Sequence, residues 1–339
     1  MNVLCIGDIH VKTNNLLEID EMTTKLIQLA NERKPDFIVV LGDVLDRHAT
    51  IHVACLMRAE KIILSLSKIA PVFLLIGNHD RPNNSNFLTD EHPFNSMKLW
   101  NNTYIIDTVK SFNIVREDEI IVRESNSREV GMRFVFAPYV APGRFMEALN
   151  TIDDPLNCEC IFSHQEFRGA KMGAIVSEEG DIYPETNVLA ISGHIHEFSI
   201  LQPNIIYVGV PIMHTFSDTP DKTVSMFTFE LGNIWKQERI DLGLIKKTTI
   251  YLTTEEFMKY NHSNDKMVKL VIKGDEASIQ ACMKLDKVNQ LKKLGVKFSF
   301  KTVQTTKEAV YFAPKMSFRD RLLTEITKPE AVWFNKIFC

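Results

Sequence analysis

Three short apolar runs open the chain: Val3-Leu4-Cys5-Ile6, Phe37-Ile38-Val39-Val40-Leu41 and Val72-Phe73-Leu74-Leu75-Ile76, each followed at once by glycine. Continuous apolar runs of this length, rich in branched residues, suit strands covered on both faces. Between the first two, Met22, Leu26, Leu29 and Ala30 recur at helical spacing, and the pattern stops at Pro35. A second helix is predicted from about residue 51 to 69, ending before Pro71, because the residue preceding proline is pushed out of the α region. Strands alternating with helices predict an α/β fold with a largely parallel first sheet. From about residue 103 the helical signal fades. Runs at 104–107, 120–123, 133–136, 159–163, 188–192, 205–209 and 224–229 read as short strands of a second sheet. Beyond Gly243, strands at 248–252, 268–272 and 297–301 around a helix at 276–293 predict a small α/β module. The expected division is 1–243, 244–312 and a tail over 313–339.

The polar residues just past these strands carry the chemistry. They are Asp8 and His10 in Gly7-Asp8-Ile9-His10, Asp43 and Asp46 in Gly42-Asp43-Val44-Leu45-Asp46, and Asn78, His79 and Asp80 in Gly77-Asn78-His79-Asp80. His164 follows Ser163, and His194 and His196 stand in Gly193-His194-Ile195-His196. In an open α/β sheet, ligands bind outside the carboxyl ends of the strands, so such residues converge on one rim. Glycine before each polar group allows a sharp turn and a close approach of backbone. Carboxylates, an amide oxygen and imidazoles together suit first-row divalent metals. Two such ions a few ångströms apart need a bridging carboxylate. They acidify a bound water and clamp the oxygens of a displacement at phosphorus, while an imidazole not spent on metal protonates the leaving alkoxide. A single Asp or His after a strand is ordinarily a turn residue or cap, but turn chemistry does not explain eight or nine at once. His48, His52, His92, His214 and His262 lack such company and default to surface or core roles.

Composition changes this picture in two places. With 45% hydrophobic and 24% charged residues, collagen-like, low-complexity and disordered classes are excluded. No apolar run approaches the ~20 residues of a membrane span, and the first eight residues carry no basic region of the kind that opens a leader. Six cysteines, mostly within apolar runs, do not form a disulfide framework, so a reducing intracellular compartment is expected. The formal net charge is −4, which by itself argues against a nucleic-acid partner. Divided after Ile245, however, the balance is −12 for the first part and +8 for the second, an asymmetry that suggests different partners for each.

In the order GDIH, GDVLD, GNHD, a lone SH and GHIH, these motifs resemble the calcineurin-like metallophosphoesterase superfamily over about residues 4–197. The resemblance implies two packed mixed β-sheets flanked by helices. It implies that Asp8, His10, Asp43 and His196 hold one divalent metal ion, with Asp43 bridging, and that Asn78, His164 and His194 complete a second. His79 would be the catalytic imidazole, oriented by Asp80, and manganese the usual ion, with magnesium an alternative.

Within the superfamily, the GHxH motif, the following strand ending Tyr207-Val208-Gly209-Val210-Pro211 and the appended module of about 90 residues resemble the SbcD and MRE-eleven recombination nucleases in their short phage-type form. That branch implies a DNA endo/exonuclease, a module that caps the DNA, and a coiled-coil SbcC-type ATPase subunit bound through the C-terminal region. The apolar tail Leu322, Leu323, Ile326, Val332, Trp333, Phe334, Ile337 and Phe338 would serve that contact. A homodimer through the helices near 51–69 and 80–100 is a further family-level expectation. Arg47 and Arg81 would position a DNA phosphate. Alternatively they clamp the phosphate of a phosphomonoester or phosphoprotein, as the arginines flanking protein-phosphatase sites do. Lys266, Lys269 and Lys273 are expected on one face of a strand, with Lys292 and Lys293 near the end of the following helix, as a track for phosphates.

Overall fold

A computed structural model describes residues 1–48, 50–125, 127–231, 234–263 and 266–303. The expected tail, with the partner contact placed on it, therefore lies outside the described residues. The four parallel strands β1 (Asn2–Ile6), β2 (Phe37–Val40), β3 (Val72–Leu75) and β4 (Thr103–Ile106) build the first sheet, linked by helices α1 (Leu16–Arg33) and α2 (Val53–Ser67). Then follow β5 (Lys110–Arg116), β6 (Ile120–Glu124), β7 (Met132–Ala137), α3 (Phe145–Leu149), β8 (Cys160–His164), the hairpin of β9 (Lys171–Met172) and β10 (Ile175–Val176), β11 (Ala190–Gly193), β12 (Ser199–Gln202) and β13 (Ile205–Tyr207). The strands other than that hairpin form a mixed second sheet in the order β12-β13-β11-β8-β7-β5-β6. Strands β14 (Val224–Glu230) and β15 (Ile234–Ile240) return to the first sheet, β14 antiparallel to β1.

Two strands expected in the second sheet, those near 104–107 and 224–229, thus belong to the first. An apolar run shows that a strand is buried but not which neighbour it pairs with, and these two take the open sides of β3 and β1.

Strand periodicity explains the layering. Along β2, Ile38 and Val40 face α1 and α2, whereas Phe37 and Val39 face the other sheet. Along β7, Phe134 and Phe136 face inward while Val135 and Ala137 pack outward against Phe145 and Leu149 of α3. The space between the sheets is filled by aromatic rings, with Phe73 and Phe136 stacked at 4.2 Å between centroids. Both faces of each central strand are therefore dry, and only the strand ends reach polar surroundings. This is the α/β arrangement of two packed mixed sheets flanked by helices.

The described residues divide into two compact units, Met1–Thr249 with those of Ser263–Lys269, and Ile250–His262 with 270–303. Strands β16 (Lys247–Thr253), β17 (Met267–Gly274) and β18 (Lys297–Thr302) form a three-stranded sheet. Helix α4 (Thr254–Lys259) opens with a reciprocal cap between Thr253 and Glu256. The helix expected over 276–293 is two helices, α5 (Glu276–Met283) and α6 (Asp286–Lys293), because Leu285 is extended and restarts the chain. No described helix is long and apolar enough to cross a membrane. The five described cysteines are free and buried.

Candidate metal centre

Strands β1, β2 and β3 of the first sheet and β8 and β11 of the second present their carboxyl ends to one rim, where Asp8, Asp43, Asn78, His164 and His194 follow or end them. The turns are tight. His10, Asp43 and His194 take left-handed φ values of 47°, 48° and 79°, a conformation costly for non-glycine residues and concentrated at functional sites. The main-chain N–H groups of Ile9 and His10 both donate to the Asp43 carbonyl, tying the first two loops together. At Gly77 a Cβ would stand 2.2 Å from Asp43 Oδ1, and at Gly42 (φ 100°) it would stand 2.5 Å from His164 Nδ1. These glycines are there so that the donors can come together.

The donors gather in two groups sharing Asp43. Asn78 Oδ1 is 3.0 Å from both His164 Nε2 and His194 Nδ1, which are 3.3 Å from each other. Asp43 Oδ2 is 3.5 Å from His164 Nε2 and 3.6 Å from His10 Nε2. On that other side, His10 Nε2 faces His196 Nε2 at 3.1 Å, and Asp8 Oδ2 is 3.8 Å from the same His196 nitrogen. Both oxygens of Asp8 also accept from the His194 N–H. His164 Nδ1 donates to the Leu41 carbonyl at 2.6 Å, which aims Nε2 at the centre, the second-layer arrangement usual for metal-bound histidine.

The electrostatics favour cations. Burial alone would lower His164, but Asp43 and Asp8 outweigh it and lift its pKa to about 9. His10 is raised too, since Asp46, Asp43 and Asp8 overcome its burial. Burial would raise Asp43, yet His164, His10 and His79 hold it far below the usual carboxylate range. Imidazole nitrogens facing each other at 3.1–3.3 Å repel unless a proton or a metal lies between them. The donor set fits a pair of divalent ions, one within Asp8, His10, Asp43 and His196 and one within Asn78, His164 and His194, with Asp43 between.

His79 stands beside this group. Its Nδ1 donates to the Asp46 carbonyl at 2.8 Å, which leaves Nε2 toward Asp43 Oδ2 at 4.0 Å. The ring stacks on His48 at 4.6 Å, and the side chain is 32% exposed, so that solvent reaches it as it reaches His196 on the other side of the rim. The expectation that Asp80 orients His79 needs correcting, because the hydrogen bond to the ring comes from the Asp46 carbonyl. Asp80 accepts instead from the N–H groups of Leu45, Val44 and Gly77, joining the second and third loops. Burial and the nearby Asp43 push its pKa up.

The phosphate-binding expectations divide. Arg47 is exposed and lines a cleft of about 330 Å³ beside the rim, with Lys12, Asn14 and His52. Arg81 is only 2% exposed; its Nη1 donates to the Tyr139 carbonyl and its guanidinium lies 5.6 Å from the Tyr139 ring centre. Its Nε and Nη2 are buried without a partner among the described residues, whereas Arg47 is exposed, so the two arginines do not form one open clamp. The lysines do not form one track either. Lys266 precedes β17, and alternation places it opposite Lys269 and Lys273. Lys273 lies over the Tyr251 ring at 5.0 Å, and Lys292 and Lys293 are exposed in the last turn of α6.

Asp46, expected at the rim, bridges Lys12 Nζ (2.9 Å) and His10 Nδ1 (3.3 Å). Two site neighbours escaped the sequence reading. One is Glu166, whose Oε2 is 3.7 Å from His194 Nε2. The other is His214, packed against the rings of His10 and His196. It follows β13 at the same rim, but five residues past Gly209, so no adjacent glycine marked it.

Residues 1–198 match the Calcineurin-like phosphoesterase family, and the chain belongs to that family. It is 35% identical over 313 residues to "Putative phosphoesterase 078R" of Invertebrate iridescent virus 3, covering 90% of this chain and 86% of that protein. It is 37% identical over 290 residues to "Putative phosphoesterase 244L" of Invertebrate iridescent virus 6, covering 83% and 97%. Among solved structures it is similar to "GAP50 the anchor in the inner membrane complex of Plasmodium", at 13% identity and a TM-score of 0.42, covering 67% of this chain and 80% of that one. The class is thus a metal-dependent phosphoesterase hydrolase.

Proposed function

We propose that the chain is a two-metal phosphodiesterase acting on DNA, an endo/exonuclease of the kind that processes double-strand breaks in recombination. The observation that carries the hydrolytic part is the Asp43-centred double group of donors with His79 exposed at its edge. Divalent ions bound there would acidify water and neutralise charge on the phosphate oxygens.

The chain's own residues supply the rest. Asp43 and Asp8 set the negative field that selects cations, and the Leu41 carbonyl fixes the His164 ring. His79 handles the proton of the leaving oxygen. Its Nδ1–H is held by Asp46, so the proton moves at Nε2. Burial, His10 and His48 lower the His79 pKa despite Asp43, which makes the imidazolium a stronger acid toward an alkoxide. For the diester reading, the support is the exposed Arg47 and the half-buried Lys12 in the cleft beside the site. The basic excess of residues 246–339 supports a polyanionic substrate. By the branch resemblance, the proposal includes manganese as the working ion and a coiled-coil ATPase supplied in trans. It also includes pairing of two copies through α2, where Val53, Met57 and Leu64 are exposed.

The test is hydrolysis with manganese of single- and double-stranded DNA, bis(p-nitrophenyl) phosphate and p-nitrophenyl phosphate by the purified chain. Cleavage of DNA and of the diester is expected. A protein that hydrolyses only the monoester would overturn the DNA reading and leave the metal site standing.

A further inference from the structure

His214 is a half-buried residue whose two ring nitrogens are nonetheless shut off from water. Neither Nδ1 nor Nε2 has a close hydrogen-bond partner. Leaving a buried polar group unpaired costs ~1–3 kcal/mol; the Asp8 main chain acts on the ring as an acceptor, and it can serve only one of the two nitrogens, so the other calls for a partner that the polypeptide does not supply. The ring is firmly placed. The His214 N–H donates to Asp218 Oδ2 at 2.7 Å, and the same oxygen accepts from Thr215 N–H at 3.1 Å, so one carboxylate pins the loop on both sides of the peptide.

Where the ring sits is informative. The centroids of His10, His196 and His214 are separated by 5.0, 5.1 and 5.2 Å, a nearly equilateral triangle of imidazoles. The spacing repeats that of His164 and His194, 5.2 Å, in the other donor group. Three rings packed together, two pairs edge to face and one tilted, without a close hydrogen bond from the third would be a poor way to build a core. Three imidazoles converging on one cation are a common way to build a metal site.

We infer that His214 is a third imidazole donor to the divalent ion held by Asp8, His10, Asp43 and His196. Neither His214 nitrogen is hydrogen-bonded to the other donor atoms or converges with them, so a turn of the ring about Cβ–Cγ is part of the inference. It rests on the two-ion reading above and makes the two donor groups unequal. One is richer in imidazole, and the other contains the amide of Asn78.

The measurement is metal binding rather than turnover. Manganese titration of the chelator-stripped chain by calorimetry and by loss of the free-ion electron paramagnetic resonance signal should give two ions for the native protein. In His214→Gln and His214→Phe, one ion should weaken by about tenfold or more and the other keep its affinity, while His92→Gln, at a buried histidine elsewhere, changes neither. Pulsed resonance on the native protein with 15N-histidine should count three imidazole nitrogens on one ion, a readout that does not depend on any variant folding. Two unchanged affinities in both folded His214 variants, or only two nitrogens on the ion, would overturn the role of His214 alone. A native chain that binds no manganese would overturn the two-ion reading along with it.

Discussion

Two buried carboxylates stand just past parallel strands of the same sheet, and they have opposite fates. Asp107 follows β4 directly, and the protein closes it with its own cations. Lys98 Nζ lies at 2.5 Å and His92 Nε2 at 3.2 Å, with the His92 side chain fully buried. Asp43 follows β2; its Oδ1 accepts from the His79 main-chain N–H at 2.8 Å, and the cationic groups it meets are imidazoles alone, at 3.5–4.0 Å, with no lysine or arginine paired to it among the described residues. One cluster is complete as folded, whereas the other is complete only when a cation arrives. Proximity of histidine to carboxylate does not separate structure from function. Whether the charge is already balanced does.

The largest effect should come from breaking the unbalanced cluster. Asp43→Ala removes the carboxylate shared by both donor groups, and calorimetry should show both manganese ions lost and hydrolysis down by ~10³-fold or more. Two ions still bound would contradict its bridging place. His79→Ala should lose ~10²–10⁴-fold in diester cleavage with manganese stoichiometry intact; full activity would remove His79 from the chemistry. Gly77→Ala puts a Cβ against Asp43, and a forced fit of this kind costs ~1–3 kcal/mol. Metal affinity should fall in parallel with melting temperature, whereas an unaltered affinity would mean that the loop yields without moving Asp43.

The smallest effect belongs to the balanced cluster. Burial opposes ionisation of Asp107, but His92 and Lys98 overcome it and hold its pKa at about 2. A carboxyl depressed on folding stabilises above its ordinary pKa, and that stability is lost as pH falls toward the folded value. Asp107→Asn should therefore cost about 2 kcal/mol at neutral pH, with the gap from wild type closing between about pH 4 and pH 2, and with manganese binding unchanged. A change in metal affinity would show that the two clusters are not separate.

The same contrast explains what could be read in the chain. Asp8, His10, Asp43, Asn78, His79, His164, His194 and His196 were legible because each lies one or a few residues past a buried strand and most have glycine at hand. His214 was not, since its glycine is five residues back and its neighbours His10 and His196 come from other loops. The partner of the His79 ring was misassigned because a main-chain carbonyl, that of Asp46, has no side-chain signature. The two arginines look alike in sequence, Arg47 and Arg81 each following an aspartate, yet one is exposed and the other enclosed by Tyr139. The overlap of Lys266 with Lys269 and Lys273 fails on parity alone, which was open to sequence reasoning and was missed.

By itself, the sequence determined the strand–helix alternation, the two dry faces of the central strands and the kinds of atom at their carboxyl ends. These depend on local periodicity and on which residues tolerate tight turns. Only the tertiary structure decided which sheet received β4 and β14, which carboxylate met lysine and which met imidazole, and which arginine lost contact with solvent. Those outcomes depend on groups far apart in the chain, 186 residues for His10 and His196 and 226 for Asn2 and Thr228 where β14 joins β1. Their energies arise only once packing has removed the water that would otherwise screen one charge from the next.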